Sequence, residues 1–469
     1  MREENEREIV LHILQEREHK KTFSNVLIRR ALDAHDDMEQ SEKAFIKRFA
    51  EGVIEREGEL DHTIRQHLKN PSTQVKGTVR ILLRMGIYQI RYMDAVPDFA
   101  AVNETLNLAK AHHLQDKVGF LNAILRSVCR EKEAGAVPGK KTIFIAGESG
   151  AVRAQRALTT SEEAALSMPE EIRAIWEEDY GKETAGALAK AMMAVRPVCI
   201  RFDPRIPEEK RQETIEKIRA LGATAERAKW VPDCWYLTKI PAVTKLPGFS
   251  EGIFTVQDES SALIGMAAGL SGDETVLDLC AAPGGKSVLL ASLLPRGKVL
   301  AFDLSREKTD RIAANAARMR IDNITIREGD ATQENPELFS SADFVLCDVP
   351  CSGLGVITRK RDIKYHVDAE KIRSLVRLQR KILANAVRYV RPGGILLYST
   401  CTIDLAENDR QAAYLEKQLG LVPTDLAPLL PKDMPGIRGN CLQLFPHIHH
   451  TDGFFLARFQ KPEKEAERG

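Results

Sequence analysis

Ten consecutive residues, Asp278-Leu279-Cys280-Ala281-Ala282-Pro283-Gly284-Gly285-Lys286-Ser287, join the end of one apolar run to the start of another. Small side chains there let backbone N–H groups approach a ligand, and a helix that begins at such a turn favours negative charge. Cys280, Ala281, Ala282, Pro283, Gly284, Gly285 and Lys286 are therefore candidate cofactor-binding residues. Three further acids, Asp303, Asp330 and Asp348, each follow a later strand candidate. Asp303 stands 25 residues after Asp278, where an acid is suited to accept hydrogen bonds from ribose hydroxyls. Acids at four successive strand ends suit an adenosyl ligand with a cationic centre better than a polyphosphate.

Two cysteines follow the fourth and fifth strand candidates, in Asp348-Val349-Pro350-Cys351-Ser352-Gly353 and Tyr398-Ser399-Thr400-Cys401-Thr402. A lone free cysteine is ordinarily a small buried hydrophobe. Two at adjacent strand ends, beside an acid, point instead to thiol chemistry facing the cofactor crevice. Other readings of the turn compete. Residues 280–287 nearly meet the phosphate-binding pattern Gly-x-x-x-x-Gly-Lys-Ser, but Cys280 stands in place of the first glycine. Gly-x-Gly-x-x-Gly is missing from the turn, so a nicotinamide site is not expected there, and an unliganded strand-to-helix turn is the bland alternative.

These residues need a scaffold that alternates strands and helices. Strands are predicted at 275–279, 298–302, 324–327, 344–347, 395–399 and 454–459, with helices at 260–268, 287–294, 306–319 and 369–389. That order predicts an open, mostly parallel, doubly wound sheet over residues 257–462. Strand candidates near 196–202, 234–239 and 253–256, with a helix at 207–221, predict a small α/β subdomain over 166–256. Residues 136–165 read as a linker. Before it, over 1–135, apolar residues recur three or four apart, as in Val79, Leu82, Leu83, Ile87 and Ile90, and predict an all-helical domain of about seven helices.

With 469 residues, 43% hydrophobic and 29% charged, the chain is an ordinary globular mixture of about three domains. The amino terminus, MREENEREIV, lacks a signal-peptide apolar stretch and no run is long enough for a bilayer, so a cytoplasmic protein without a membrane partner is expected. Eight scattered cysteines with no Cys-x-x-Cys pair make neither a disulfide framework nor a zinc site.

DLCAAPGGKS, DVPCSG and YSTCT together resemble the signature of the S-adenosylmethionine-dependent RNA cytosine-C5 methyltransferases. Gln257-Asp258-Glu259-Ser260-Ser261 and Asp452-Gly453-Phe454-Phe455 resemble that family's flanking motifs. The likeness runs over roughly residues 165–460, and the helical front resembles a NusB-like RNA-binding domain. Such a fusion resembles the Sun/Fmu (RsmB) branch, which modifies small-subunit (16S) ribosomal RNA. The resemblance implies a multidomain fold: a NusB-like helical domain, a small RRM-like α/β subdomain and a Rossmann-like methyltransferase domain. It implies S-adenosyl-L-methionine as cofactor, nucleophilic attack by Cys401 and product release by Cys351. A thiolate adding to carbon 6 makes carbon 5 of cytosine nucleophilic. Asp348 is expected to bond the base's polar edge, donating to N3 as the protonated acid.

Residues 356–391 hold 11 Lys or Arg and three acids, a net charge of +8. Arg359, Lys360 and Arg361 follow the Pro-Cys segment directly and are expected to grip phosphates. His447, His449 and His450 lack regular ligand spacing, so no metal is expected. The same chemistry on large-subunit ribosomal RNA or tRNA, a nucleotide-dependent ATPase and a non-catalytic RNA-binding factor are the alternatives.

Overall fold

The computed structural model describes residues 5–20, 22–70, 73–134 and 167–463; the predicted linker at 136–165 lies outside the described residues. The chain divides into two compact units, Met1–Ala194 with Ile357–His366, and Val195–Val356 with Val367–Gly469. No helix among the described residues is long and apolar enough to cross a membrane.

The first unit is helical. It contains α1 (Glu6–Lys20), α2 (Ser24–Ala34), α3 (Gln40–Glu55), α4 (Glu57–Gln66), α5 (Gly77–Tyr92), α6 (Asp98–Ala111), α7 (Val118–Glu133) and α8 (Glu170–Met192). The seven predicted helices are present. In α5 every residue from Ile81 to Arg91 is buried, because α1, α3, α4, α6 and α7 all pack around it. Arg84 tolerates that burial because Asp61 accepts from its Nε at 2.7 Å and from its Nη2 at 2.6 Å.

Residues 357–366 also pack in this unit, although they leave the Pro-Cys segment in sequence. Arg361 pairs with Glu55, the Asp362 carboxylate accepts from the Ser24 amide, and Lys364 donates to the Glu55 carbonyl at 2.8 Å. Burial pushes the Lys364 ammonium down to about 8. Helix α8 likewise belongs to the helical unit, whereas the sequence boundary at 166 assigns it to the small subdomain. Its apolar positions are interrupted at Gly181, whose φ of 80° breaks the helical path and the sequence periodicity with it.

The second unit begins with β1 (Val198–Phe202), α9 (Glu208–Arg219), β2 (Thr224–Arg227), β3 (Cys234–Thr238) and β4 (Phe254–Val256). These strands form an antiparallel sheet in the order β2-β3-β1-β4, over a core that includes Ile200, Phe202, Ile215, Ile218 and Trp235. Then follow α10 (Glu259–Ala268), β5 (Thr275–Asp278), α11 (Gly285–Ser292), β6 (Lys298–Asp303), α12 (Arg306–Arg318), β7 (Ile324–Glu328) and β8 (Ala342–Asp348). The chain closes with α13 (Ala369–Tyr389), β9 (Val390–Thr400), α14 (Asp409–Lys417), β10 (Val422–Pro423), β11 (Ile437–Arg438), β12 (Cys441–Leu444), α15 (Pro446–His449) and β13 (Phe454–Gln460).

The larger sheet has nine strands, with the path β11-β12-β13-β9-β8-β5-β6-β7 and β10 beside β13. Strands β5 to β9 pair in parallel, and β13, β12, β11 and β10 extend one side antiparallel. The sheet is thus mixed, with a parallel centre as predicted and an antiparallel flank in which the predicted β13 is joined by the short β10, β11 and β12, which carry little sequence signal. The order reverses between β8 and β5, which creates the crevice where such sheets bind ligands.

Leu346 lies in β8 at the centre of this sheet and is fully buried. Leu346→Ala should cost about 2–5 kcal/mol, the usual penalty for a truncated core leucine, and lower the urea midpoint of unfolding accordingly.

Candidate active site

Three of the predicted acids close strands: Asp278 closes β5, Asp303 closes β6 and Asp348 closes β8. The parallel register sets Asp278 opposite Leu346 on β8 and Asp348 opposite Ser399 on β9, so the acids gather at one edge of the sheet. Asp330 lies two residues beyond β7, where its Oδ1 accepts from the Thr332 amide at 2.9 Å and hydroxyl at 2.7 Å. Those bonds lower its pKa.

The turn between β5 and α11 is built by side chains as much as by glycine. Asp278 is fully buried and accepts from the Ser287 hydroxyl at 2.6 Å, tying strand end to helix start. Burial pushes its carboxyl up to about 7. Gly284 has φ +101°, and a Cβ there would stand 3.1 Å from Ile312 on α12, so both its conformation and its space call for glycine. Ala281 donates to the Phe302 carbonyl, and Ala282 donates to Asp303 Oδ2 at 2.9 Å. Cys280 is half-buried, and burial raises its thiol.

Asp303 Oδ1 also accepts from the Leu304 amide at 2.7 Å and Lys308 Nζ at 2.8 Å. A carboxylate has about four acceptor positions, so three bonds leave capacity for a ribose hydroxyl. Lys286 Nζ, by contrast, sits 2.7 Å from Asp348 Oδ2. Burial works against its charge, and Asp348 outweighs that, so the ammonium ends above its ordinary value. A lysine held in this way does not clamp a polyphosphate, and the surrounding acids would repel one. The donor set fits an adenosyl ligand bearing positive charge and disfavours the phosphate-loop alternative.

Asp348 Oδ1 accepts from the Ser399 hydroxyl at 2.7 Å. Both oxygens of Asp348 therefore accept, one from the Lys286 ammonium and one from Ser399. Ser399 lies within the quoted YSTCT stretch, yet nothing in the sequence marks it as this partner.

Cys351 and Cys401 come together, with their sulfurs 3.4 Å apart. The hydrogen bond to Cys401, then burial, raises the Cys351 thiol well above its ordinary value. The two cysteine loops are sewn to each other. Gly355 donates to the Cys401 carbonyl at 3.0 Å, and Ser352 Oγ and Thr402 Oγ1 are 2.6 Å apart. A Cβ on Gly355 would lie 2.8 Å from that Cys401 carbonyl, so the close approach admits only glycine. The flanking motifs meet as well, since Asp258 caps α10 and accepts from the Asp452 amide at 3.1 Å. Among the predicted RNA contacts, Arg359 and Lys360 are exposed and Arg361 is engaged by Glu55 in the helical unit. His449 is bonded through Nε2 to the Pro435 carbonyl at 2.9 Å, and burial pushes His447 down to about 4.

A doubly wound sheet with this acid-lined switch point is a Rossmann-like methyltransferase fold. A family model described as 16S rRNA methyltransferase RsmB/F matches residues 266–460, and the NusB family model matches residues 4–130. The chain is 32% identical to the probable ribosomal RNA small subunit methyltransferase B of Bacillus subtilis (strain 168), over 98% of this chain and 100% of that protein. A crystal structure of PH0851 superposes with TM-score 0.73 at 23% identity, covering 97% of this chain and 98% of the other. NSun6 from Pyrococcus horikoshii with SFG superposes with TM-score 0.55 at 22% identity, covering 63% and 99%. The chain belongs to the family of the ribosomal RNA small subunit methyltransferases B.

Asp278 gives a pH test. Its folded pKa lies above the ordinary carboxylate value, so between about pH 4 and 7 the folded state holds the extra proton and stability falls as pH rises. Asp278→Asn should flatten that slope by up to about 1.4 kcal/mol per pH unit, measured by urea unfolding at pH 4.5 and 7.

Proposed function

We propose that this enzyme methylates carbon 5 of a cytosine in small-subunit ribosomal RNA through a covalent bond between Cys401 and carbon 6 of the base. The observation that carries the reading is the pair of thiols 3.4 Å apart at the ends of neighbouring strands, beside the Lys286–Asp348 pair. The cofactor is S-adenosyl-L-methionine, which supplies an electrophilic sulfonium methyl group when bound. Cys280–Lys286, Asp303 and Asp330 would hold it, with Asp303 accepting from the ribose hydroxyls.

Attack by the Cys401 sulfur on carbon 6 pushes electron density towards N3 and O2 of the ring. Lys286 offers a proton or a hydrogen bond to that charge, while Asp348 keeps the ammonium in place and accepts from the base's amino group. Transfer of the methyl group to carbon 5 would leave S-adenosylhomocysteine, after which the carbon 5 proton passes to solvent water and the carbon–sulfur bond breaks to regenerate Cys401. Cys351 serves this last step. Arg359 and Lys360 grip phosphates, as do Arg373, Arg377 and Lys381, exposed four residues apart along α13. The NusB-like helices add RNA binding.

Cys401→Ala should abolish both turnover and covalent attachment to RNA. Cys351→Ala should still attach and fail to release, giving an RNA adduct that survives denaturing gels and vanishes in the double variant. Adduct in Cys401→Ala alone would reverse the two roles. Loss of a 5-methylcytosine from large-subunit RNA or tRNA rather than 16S RNA, on deleting the gene, would reassign the substrate.

Asp303→Ala removes a charged acceptor and should weaken S-adenosyl-L-methionine binding by about 1.5–3 kcal/mol. Calorimetry on the folded variant reads this directly, and unchanged affinity would reject the ribose role.

A further inference from the structure

We propose that Glu407 is the positioning residue that holds the Cys351 thiol against the Cys401 thiol. It lies in neither cysteine segment and follows Cys401 by six residues, ahead of α14. Its side chain is fully buried, and its Oε2 accepts from the Ser352 amide at 2.9 Å and from Gln379 Nε2 at 2.8 Å. Gln379 spends its other amide hydrogen on the Pro350 carbonyl at 3.0 Å, so the residues on both sides of Cys351 are fixed by one carboxyl and one amide. Gln411 Nε2 in turn donates to Gln379 Oε1 at 2.9 Å and to the Val376 carbonyl at 3.1 Å, locking the amide's orientation.

The backbone of Glu407 holds the other loop. Its carbonyl accepts from the Tyr398 hydroxyl at 2.5 Å, on the strand that stops one residue before Cys401, and its amide donates to Asp404 Oδ1 at 3.0 Å. The next residue, Asn408, accepts from Thr400 Oγ1 at 2.6 Å and donates to the Thr402 carbonyl at 3.1 Å, bracketing Cys401 as Glu407 brackets Cys351. One short stretch therefore sets where both sulfurs stand. Glu407 Oε1 is buried with no partner among the described residues, and burial pushes the carboxyl up to about 7. A group with only a packing role would be better served by an apolar side chain, since an unpaired buried oxygen is costly.

The inference rests on the thiol-pair reading above, and the test separates the two. Phenylarsine oxide condenses with two adjacent thiols, forming two As–S bonds and releasing one water, whichever of the thiols is the nucleophile. Wild-type protein should bind it across Cys351 and Cys401, mapped by mass spectrometry to the two peptides, and Cys351→Ser should lose that bridge. Glu407→Met should keep its S-adenosyl-L-methionine affinity and weaken capture about tenfold, the scale of one buried hydrogen bond to a charged group. Glu407→Gln keeps an acceptor oxygen for Ser352 and Gln379 and should restore capture. If Glu407→Met does not fold, Gln379→Leu carries the same comparison and should show partial loss. A folded Glu407→Met with wild-type capture, equal loss in the Met and Gln variants, or no bridge in wild-type protein would each overturn the proposal. Failure of Cys351→Ala to accumulate the RNA adduct, with capture behaving as expected, would instead overturn only the assigned roles of the cysteines.

Discussion

The parallel pairing of β8 with both β5 and β9 is the constraint on which the site depends. It puts the end of β5, with its glycine turn, on one side of Asp348 and the end of β9, with Cys401, on the other. Because the chain order reverses between β8 and β5, the loops after them diverge to opposite faces and leave an open crevice. Asp348 spans it, taking Lys286 from the turn and Ser399 from β9. A one-residue slip of β8 would turn Asp348 to the other face of the sheet and separate all three.

Burial then sets the electrostatics. Asp278 and Asp348 lie on neighbouring strands, and two ionised carboxylates so close would repel. The structure resolves this in two ways: Asp278 is shut away with Ser287 and its proton is held to higher pH, while Asp348 is given the Lys286 ammonium. The lysine that makes the turn look like a phosphate loop is thereby committed to an acid. This is why the near-match of residues 280–287 to that loop carries no phosphate chemistry.

The strand-end acids and both cysteines were legible in the sequence because each sits where a period-two or apolar run stops, and such stops can be read without knowing the fold. The helix over Ala369–Tyr389 was legible to the residue because its apolar stripe is unbroken. What escaped depended on distant partners. Strands β11 and β12 are two and four residues long and form by pairing outward from β13, β12 on β13 and β11 on β12. Arg361 reads as a free cation until Glu55, some three hundred residues away, is placed beside it. Glu407 shows no signal of its own, since a glutamate ahead of a helix is ordinarily a solvated first-turn acid.

The two thiols are alike in type and burial, and they lie within hydrogen-bond distance of each other. The Cys351 thiol is bonded to the Cys401 sulfur and buried, and both effects hold its proton on. At 3.4 Å either sulfur can donate to the other, so a proton on one thiol can be shared with its neighbour. On the proposed reading Cys401 attacks, and the geometry keeps a second sulfur within reach of it throughout the cycle. If the proposed adduct forms, a neighbouring thiol is placed to donate to the Cys401 sulfur as it leaves carbon 6, which makes that sulfur the better leaving group.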